Sequence, residues 1–287
     1  MNRAGYTYRE LARIHNITVG KVAGKIDRYI KSDQKKLKLF EVDLGSPWLL
    51  QGDWMIIGDV HLPCTDYGFL QLVIKVAKKY GIKKLIIAGD FFTLDIASKY
   101  QQVVPAIQWE MERKAGRLVV AELLEWFDDL RFLMGNHDRR LQRLTDGQLD
   151  ENDIFGMISS SDKVHVSNWG HCVVENKNKD GYPWRITHSS NYSINQLTVA
   201  DALSNKFQMN IISHHEHHLA QGWDRYKRFV VINNGCLVDQ NKLAYVMLDD
   251  NKMSGMTLGF VMLQNGVATT FGKYPYTDWN EIIDEKE

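Results

Sequence analysis

Five short apolar segments of this 287-residue chain are each followed by side chains that can bind a divalent cation. In chain order, these side chains are Asp59 and His61, Asp90, Asn136 with His137 and Asp138, His188, and His215 with His217. A mixture of carboxylate, imidazole and amide oxygen suits Mn²⁺, Fe or Zn²⁺ better than Ca²⁺ or Cu⁺. A carboxylate between two histidine-containing sets can also bridge two cations roughly 3.5–4 Å apart. The residue types therefore predict a site for two divalent cations.

A strand–helix–strand unit is predicted to position the first of these residues. Trp54–Ile57 and the segment 84–88 are predicted strands, and residues 66–80 between them have the apolar period of a helix. Two strands joined in this way are parallel. Because the carboxyl ends of neighbouring strands in an open α/β sheet line one crevice, the polar residues that follow the strands are expected to converge there.

The local backbone is expected to help the predicted ligands converge. In an extended chain, residues two apart point the same way, so Asp59 and His61 can face one ion while His215 and His217 face adjacent ions. A glycine also follows three of the strands, where it lets the backbone turn sharply beneath the site; these are Gly58, Gly89 and Gly135.

The rest of the chain alternates further strand and helix patterns. Strands are predicted over residues 131–134, 164–175, 182–187, 209–213, 229–233, 244–248, 257–263 and 267–271. A helical stretch interrupted at Pro105 continues to about residue 127, and another helix is predicted over 194–207. The segments 164–175 and 182–187 flank a polar turn over 176–181, which predicts a hairpin. This mixture favours a layered α/β core with parallel central strands and antiparallel additions.

The motifs, taken together and in order, resemble those of a known enzyme family. Asp59-x-His61, Gly89-Asp90, Gly135-Asn136-His137-Asp138, His188 and His215-x-His217 resemble, in this order, the motif set of the calcineurin-like metallophosphoesterases. The resemblance spans about residues 54–235. It implies an α/β fold with a layered, metallophosphoesterase-type β-sandwich flanked by helices. It also implies hydrolysis of phosphate esters by a metal-activated hydroxide, with manganese as the favoured metal and iron or zinc as alternatives.

The same resemblance implies a role for each motif residue. The first metal would be bound by Asp59, His61 and His217, and the second by Asn136, His188 and His215. Asp90 would bridge both metals. His137 would approach the phosphoryl or leaving oxygen, with Asp138 fixing its ring. Arg139 and Arg140, which follow directly, are candidates for contacts with a substrate phosphate.

One position departs from the family pattern. Where the family usually has glycine, this chain has His214, inside the run His214-His215-Glu216-His217-His218. The backbone turn at this position is therefore not fixed by the resemblance. A register in which His214 or His218 is a metal ligand stays open.

The amino-terminal segment differs in charge from the rest of the chain. Residues 1–40 carry ten basic and three acidic side chains, an excess that the remaining chain offsets because the total is neutral. Residues 8–14 and 19–30 have the layout of a helix-turn-helix with Ala12, Ile14 and Val22 in the shared core, Asn16 in the turn and Thr18 as a helix cap. We therefore predict a small all-α basic module over residues 1–42 and a phosphoesterase domain over 43–287.

The module suggests a nucleic-acid partner. Lys21, Lys25 and Arg28 are spaced to face one side of the second helix, where they could bind DNA. A basic helical hairpin that only packs on the body is the alternative. If the module binds DNA, phosphate contacts would concentrate the enzyme on a nucleic-acid phosphodiester, which makes a nuclease or phosphodiesterase the favoured function.

Two other functions are compatible with the same residues. One is a phosphomonoesterase acting on a protein, a nucleotide or a nucleic-acid end, and the other is a DNA-binding regulator with an inactive phosphoesterase body. No apolar run reaches the roughly 18 residues of a membrane helix, so no membrane partner is expected. Three widely separated cysteines and the lack of a signal-peptide core favour a cytoplasmic protein.

Overall fold

The computed structural model describes residues 7–14, 16–38, 45–99, 104–175, 181–243 and 256–283, with the backbone alone over 29–38. The predicted strand 244–248 and most of the predicted turn 176–181 lie outside the described residues. Two compact units are present, Met1–Gly45 and Ser46–Glu287. None of the described helices is both long and apolar enough to span a bilayer.

The first unit contains two helices, α1 (Tyr8–Ile14) and α2 (Val19–Lys38). Asn16 has a φ of 47° in the turn between them, and the Thr18 hydroxyl accepts a hydrogen bond of 3.4 Å from the backbone N–H three residues later, so both turn predictions are confirmed. Ala12 and Val22 are buried as expected. Ile14 is instead 61 % exposed, because it is the last residue of α1 and leaves the packed face.

The second unit combines twelve described strands with six described α-helices. The strands are β1 (Leu49–Leu50), β2 (Trp54–Ile57), β3 (Lys84–Ala88), β4 (Asp129–Leu133), β5 (Val164–Val166), β6 (His171–Val174), β7 (Trp184–His188), β8 (Asn210–His214), β9 (Leu219–Trp223), β10 (Val230–Asn234), β11 (Gly259–Gln264) and β12 (Val267–Gly272). The helices are α3 (Tyr67–Lys79), α4 (Trp109–Leu124), α5 (Arg139–Leu144), α6 (Glu151–Gly156), α7 (Thr198–Phe207) and α8 (Trp279–Ile283). Short 3₁₀ turns occur at Asp95–Ala97 and Gln240–Lys242.

The strands form two six-stranded sheets. Sheet I has the order β12-β11-β2-β3-β4-β5, and sheet II has the order β1-β6-β7-β8-β10-β9. In sheet I, β2, β3, β4 and β5 are parallel while β11 and β12 are antiparallel additions. In sheet II, β7, β8 and β10 are parallel and β9 is antiparallel to its neighbour. The predicted layered α/β sandwich is confirmed.

The two faces of sheet I are buried in different cores. Along β2, Trp54 and Ile56 pack with apolar residues of sheet II, whereas Met55 and Ile57 pack with the helices on the opposite face. This alternation follows from the period of two in a strand. Helix α7 covers the far face of sheet II through Ala200. The resulting order of layers is helix, sheet, sheet, helix.

Helix α3 shows how the sequence determines one of these layers. Asp66 caps its amino terminus by accepting a 2.9 Å hydrogen bond from the Phe69 N–H, and Gly81, with a φ of 67°, follows its end. Its apolar face, which includes Phe69, Val73 and Ala77, is fully buried against sheet I. Burying one large apolar side chain in this way contributes about 1.5–3 kcal/mol.

Three details of the predicted elements need correction. The segment 164–175 is not one hairpin arm: β5 belongs to sheet I, and only β6 pairs with β7. The apolar alternation continues through both strands, so the sequence pattern does not reveal the change of sheet. Strand β9 was missed because this edge strand contains Gly222 and alternates weakly, and α7 begins at Thr198 rather than 194.

Candidate metal centre

The predicted ligands lie at one end of the sandwich and come from both sheets. In sheet I, Ile57 pairs with Ile87 and Ala88 with Leu133, so β2, β3 and β4 end together. The polar residues that follow these strands therefore reach the same region. In sheet II, His188 and His214 are paired at the ends of β7 and β8. The site is thus shared by two stacked sheets, not formed in the crevice of one open sheet as expected.

The first ligand group consists of Asp59, His61 and His217. His217 Nε2 lies 3.0 Å from Asp59 Oδ1 and 3.3 Å from His61 Nε2. His61 Nε2 is 3.9 Å from the same carboxylate oxygen. All three side chains are buried, and they are the three residues expected to bind one metal.

The second ligand group consists of Asp90, His188 and His215. His188 Nε2 lies 3.3 Å from Asp90 Oδ2 and 3.0 Å from Asn136 Oδ1. Its other ring nitrogen faces the Ala88 carbonyl at 3.0 Å, which fixes the orientation of the imidazole. The structure therefore brings the four residues expected around the second metal close together.

Asp90 lies between the two groups. Its Oδ2 is 3.3 Å from His188 Nε2 and 3.9 Å from His61 Nε2. Its Oδ1 accepts a 2.8 Å hydrogen bond from the backbone N–H of His137. A carboxylate in this position can be shared by both groups.

Four of the distances between donor atoms fit adjacent positions in the coordination shell of a small divalent cation, while the two 3.9 Å distances from His61 are longer. Two ligand atoms about 2.0–2.2 Å from one cation, at roughly 90–110° to each other, are separated by about 2.8–3.6 Å. The His61–His217, His217–Asp59, His188–Asp90 and His188–Asn136 separations, 3.0–3.3 Å, all lie in this range. The donors are nitrogen and oxygen only, which suits manganese, iron or zinc.

The electrostatics of the site favour bound positive charge. Burial opposes ionisation of Asp59, but His217 and His214 beside it hold the pKa of this carboxyl well below its usual range. Burial likewise opposes ionisation of Asp90, and His188 and His137 lower its pKa despite that burial. Burial works against a charge on His188, yet Asp90 raises the pKa of this imidazole to about 10. The same carboxylates attract a divalent cation, so binding of a cation displaces the proton of His188.

Much of the backbone that carries the ligands has a left-handed conformation. Asp59, His61, Asp90, His215 and His217 have φ values of 49°, 51°, 51°, 95° and 59°. The expectation of an extended chain at both motifs is therefore wrong, although the residues still converge. Non-glycine residues in this region are uncommon, and such strain is retained where the surrounding structure requires it, often at functional sites.

The glycines beside the ligands serve two different purposes. Gly89 has a φ of 85° and makes the predicted turn off its strand. Gly135 does not have a positive φ, and a Cβ there would overlap the carboxylate of Asp90. Gly135 is thus needed for close approach and not for a sharp turn.

The expected contact between Asp138 and the ring of His137 is wrong. The Asp138 carboxylate is buried and accepts hydrogen bonds from the backbone N–H groups of Asp90, Phe91, Phe92 and Gly135, at 2.8–3.1 Å. Asp138 therefore ties the two loops after β3 and β4 together.

The ring of His137 is positioned by another loop. Its Nδ1 faces the Thr93 carbonyl at 2.7 Å, and its Nε2 lies 3.0 Å from a guanidinium nitrogen of Arg140. The carbonyl can only accept, so Nδ1 carries a proton and Nε2 is the acceptor in this arrangement. Burial and Arg140 lower the pKa of this imidazole in spite of the nearby Asp90.

The two arginines predicted to contact phosphate have different surroundings. Arg139 bonds the side chain and carbonyl of Asn168, so it supports a loop. Arg140 lines a cavity of about 630 Å³ that also contains Asn136 and His215. Arg143, which the sequence reasoning missed, lines the same cavity and donates a 3.2 Å hydrogen bond to the Asn136 carbonyl. Its spacing of three residues from Arg140 in α5 was the available signal.

His214 is not part of either ligand group. It lies instead beside Asp59, which is a predicted ligand. Its buried ring places Nδ1 3.4 Å from Asp59 Oδ2 and Nε2 3.2 Å from the Asn234 amide nitrogen. The same amide nitrogen donates to the Ile56 carbonyl at 3.0 Å, so Nε2 of His214 accepts and its proton lies on Nδ1, which is near Asp59 but outside regular hydrogen-bond geometry. Among the described residues, the groups able to hold a metal also leave out His218.

Glu112 is a second residue that the sequence reasoning missed. It is fully buried on α4, and its two carboxylate oxygens lie 3.0 and 2.8 Å from the Leu94 N–H, next to the Thr93 carbonyl that contacts His137. Burial raises the pKa of this carboxyl to about 8. The sequence pattern that could have predicted its burial is its position on the same helical face as Gly116, Val119 and Leu123.

The three basic residues predicted to bind DNA are exposed. Lys21, Lys25 and Arg28 follow one another at intervals of four and three residues on α2, and all three side chains face solvent. This spacing places them on one side of the helix.

A comparison with known families identifies the domain that carries these residues. The family model of the calcineurin-like phosphoesterases matches residues 54–247, the part of the chain that carries all seven predicted ligands. The chain belongs to the calcineurin-like phosphoesterase family. This membership supports a metal-dependent phosphoesterase, with divalent cations bound by residue groups such as those above.

Solved structures similar to this calcineurin-like phosphoesterase include YfcE, a phosphoesterase from E. coli. It is 14 % identical, with coverage of 76 % of this chain and 91 % of that chain at a TM-score of 0.40. Vps29 from Chaetomium thermophilum is 12 % identical, with 77 % and 96 % coverage at 0.40. Vps29 from Entamoeba histolytica, complexed with Zn+2, is 12 % identical, with 77 % and 97 % coverage at 0.35. Similarities this low carry no functional argument. No curated protein matches the chain significantly.

Proposed function

We propose that this protein hydrolyses phosphodiester bonds in nucleic acid and uses two divalent cations, of which manganese is favoured and iron or zinc are alternatives. In this proposal Asp59, His61 and His217 bind the first cation. Asn136, His188 and His215 bind the second cation. Asp90 bridges the two.

The position of Asp90 is the observation that carries the proposal. One carboxylate oxygen, Oδ2, lies within 3.9 Å of a donor atom in each ligand group. An isolated structural site would not need such a shared ligand. Bridging carboxylates are typical of two-metal sites that catalyse phosphoryl displacement.

The cations and the protein supply different parts of the chemistry. When bound, two divalent cations lower the pKa of water and neutralise charge on the phosphoryl oxygens. His137 can reach the leaving oxygen only through Nε2, because Nδ1 is committed to the Thr93 carbonyl, and for this role Nε2 must carry a proton in place of the hydrogen bond that it accepts from Arg140. Arg140, held by Thr93 and by Asp95 at 3.2 Å, adds a fixed positive charge beside this nitrogen.

Two features support nucleic acid as the substrate. The cavity beside the second ligand group is lined by Lys99, Arg140 and Arg143, and the lining residues that the structure describes include no carboxylate. The exposed basic face of α2 offers a second surface for phosphates. We further propose that the basic unit, predicted as residues 1–42, is a DNA-binding helix-turn-helix module and that 43–287 is the catalytic domain.

A cytoplasmic location is part of the same proposal. Cys64, Cys172 and Cys236 are all buried and unpaired, which suits a reducing compartment.

Activity measurements with matched esters test the proposed reaction. We expect the manganese-loaded protein to hydrolyse bis(p-nitrophenyl) phosphate faster than p-nitrophenyl phosphate, and to cleave single- or double-stranded DNA. The Asp90→Asn variant should lose more than the roughly 10–100-fold that removal of an outer-shell partner costs. Elemental analysis of both proteins should show fewer bound cations in the variant.

Each alternative gives a different result in this assay. Hydrolysis of the monoester alone would replace the nuclease by a phosphomonoesterase. DNA binding without turnover of any ester would indicate a regulator with an inactive body. Full activity of Asp90→Asn would contradict the bridging role.

A further inference from the structure

The cavity beside the metal centre is larger and more positively charged than the scissile phosphate alone requires. Its volume is about 630 Å³, within the usual range for a cleft that holds a whole organic ligand. His215 of the second ligand group and Asn136, which contacts His188, line one part of it. The cavity then extends along the turn 96–99 and the exposed face of α5.

The charges of the lining residues define the kind of group that fits. Arg140 and Arg143 lie three residues apart on α5 and both reach the cavity, which Lys99 also lines. Within the described chain, the lining residues include no aspartate or glutamate. Arginine binds phosphate through two parallel N–H groups, so a wall of this composition favours a phosphate.

Arg140 and Arg143 differ in how many of their guanidinium N–H groups are already bound by the protein. Arg140 donates to the Thr93 carbonyl and pairs with Asp95, and it also faces His137. Arg143 is exposed and donates to the Asn136 carbonyl through Nη1; within the described chain it has no carboxylate partner. Most of its donors therefore remain available for a ligand in the cavity.

The remaining walls suit the organic part of a nucleotide. Ile96 and Leu144 line the cavity and are 52 % and 63 % exposed. Apolar surface of this kind, next to a few polar groups that fix orientation, is typical of small-ligand sites.

We propose that this cavity is a subsite for a second phosphate of the substrate, one nucleotide away from the bond that is cleaved, and that Arg143 is its specificity-determining residue. The proposal rests on the phosphodiesterase function above and specifies its substrate: a strand with at least two phosphates. Arg140 spans both positions because it contacts His137 and lines the cavity.

Nucleotide esters that differ by one phosphate test the subsite. The substrates are the p-nitrophenyl ester of thymidine 5′-phosphate and the same ester carrying a 3′-phosphate, together with the pair of reversed polarity. We expect the second phosphate to raise kcat/KM at least about tenfold in one pair, the effect of gaining a charge-assisted hydrogen bond. In Arg143→Gln the ratio of kcat/KM with the second phosphate to kcat/KM without it should fall to about one. Arg143→Lys should retain part of it.

Arg117→Gln is the matched control. Arg117 is also exposed, but it lies on α4, donates to the Met157 carbonyl and does not line the cavity. Its variant should keep the wild-type ratio. An equal ratio in wild type and Arg143→Gln, in both polarities, would overturn the subsite.

A binding measurement separates failure of the subsite from failure of the proposed reaction. Calorimetry with thymidine 3′,5′-bisphosphate and thymidine 5′-phosphate should show tighter binding of the bisphosphate, lost in Arg143→Gln, even if the protein turns over no ester. Thymidine 5′-diphosphate distinguishes the source of the second phosphate. Tighter binding of the diphosphate than of the bisphosphate would overturn the assignment to a nucleic-acid strand.

Discussion

At the scale of single residues, the centre depends on side chains that hold the ligands as much as on the ligands. His188 is oriented by a backbone carbonyl, and Asp138 joins the loops after β3 and β4 through four backbone N–H groups. Such partners set the direction and basicity of the atoms that bind a cation. His214 plays this part for Asp59, at a position where the family usually has glycine.

We expect His214→Ala to weaken binding of manganese by about 10–100-fold, the usual effect of losing an outer-shell partner. The reason is that Asp59 loses the Nδ1–H that faces its Oδ2 at 3.4 Å. Isothermal titration calorimetry measures this directly. His214→Gln should retain more affinity, since an amide can still donate to the carboxylate.

His165→Ala serves as the control for that measurement. His165 is 39 % exposed and lies near Asp129, away from both ligand groups. Unchanged affinity in His214→Ala, with the His165 variant also unchanged, would show that His214 only fills space.

At the scale of elements, helix α4 supports the loop that positions His137 and Arg140. Glu112 is buried beneath this loop, where its carboxylate accepts a hydrogen bond from the Leu94 N–H. The neighbouring Thr93 carbonyl accepts hydrogen bonds from His137 and Arg140. Helix α4 thus supports this loop from the buried side. Its contribution depends on the protonation state of one carboxyl.

We expect the stability of the wild type relative to Glu112→Gln to fall as the pH rises from 5 to 9. The folded-state pKa of Glu112 is about 8, above the ordinary value of 4.5, so the folded state holds its proton more tightly than the unfolded state. Stability from this group is therefore complete below pH 4.5 and is lost on passing through pH 8. The full difference corresponds to about 5 kcal/mol.

Urea unfolding of both proteins at several pH values measures this effect. Other titrating groups are common to the two proteins and cancel in the difference between them. A difference in unfolding free energy that does not change with pH would contradict the proposed state of Glu112.

The sequence predicted the positions of the strands better than the sheet that each strand joins or the contacts of the loops. Apolar runs and the residues after them placed β2, β3, β4, β7 and β8, and with them all seven ligands. It did not separate β5 from β6, since alternation shows only that one face is buried and not which sheet receives the strand. The contacts of Asp138 and the buried position of His214 depend on loops brought together from distant parts of the chain. The spacing of motifs contains no information about such contacts.

At the scale of the whole molecule, the basic unit and the phosphoesterase unit are each compact and differ in charge. If the exposed face of α2 binds DNA, replacing Lys21, Lys25 and Arg28 by glutamine in the full chain should lower affinity for double-stranded DNA. The slope of log K against log salt should become less steep by about 2.7, since each phosphate contact contributes about 0.9. Fluorescence anisotropy at several salt concentrations measures both quantities.

A triple glutamine variant at other exposed lysines controls for net charge. Suitable positions, outside the first unit, are Lys114, Lys206 and Lys227. This control should leave the slope as it is in wild type. An equal slope in wild type and in the α2 variant would favour a structural role for the basic helices.

The distribution of ligands over both sheets has a consequence for the newly made protein. The first group needs His217 and the second needs His215, while their partners begin at Asp59. A chain still emerging from the ribosome therefore lacks both groups until β8 and the histidines after it have been translated. A shortened translation product that ends before these histidines therefore lacks one member of each ligand group and should not assemble the two-cation centre.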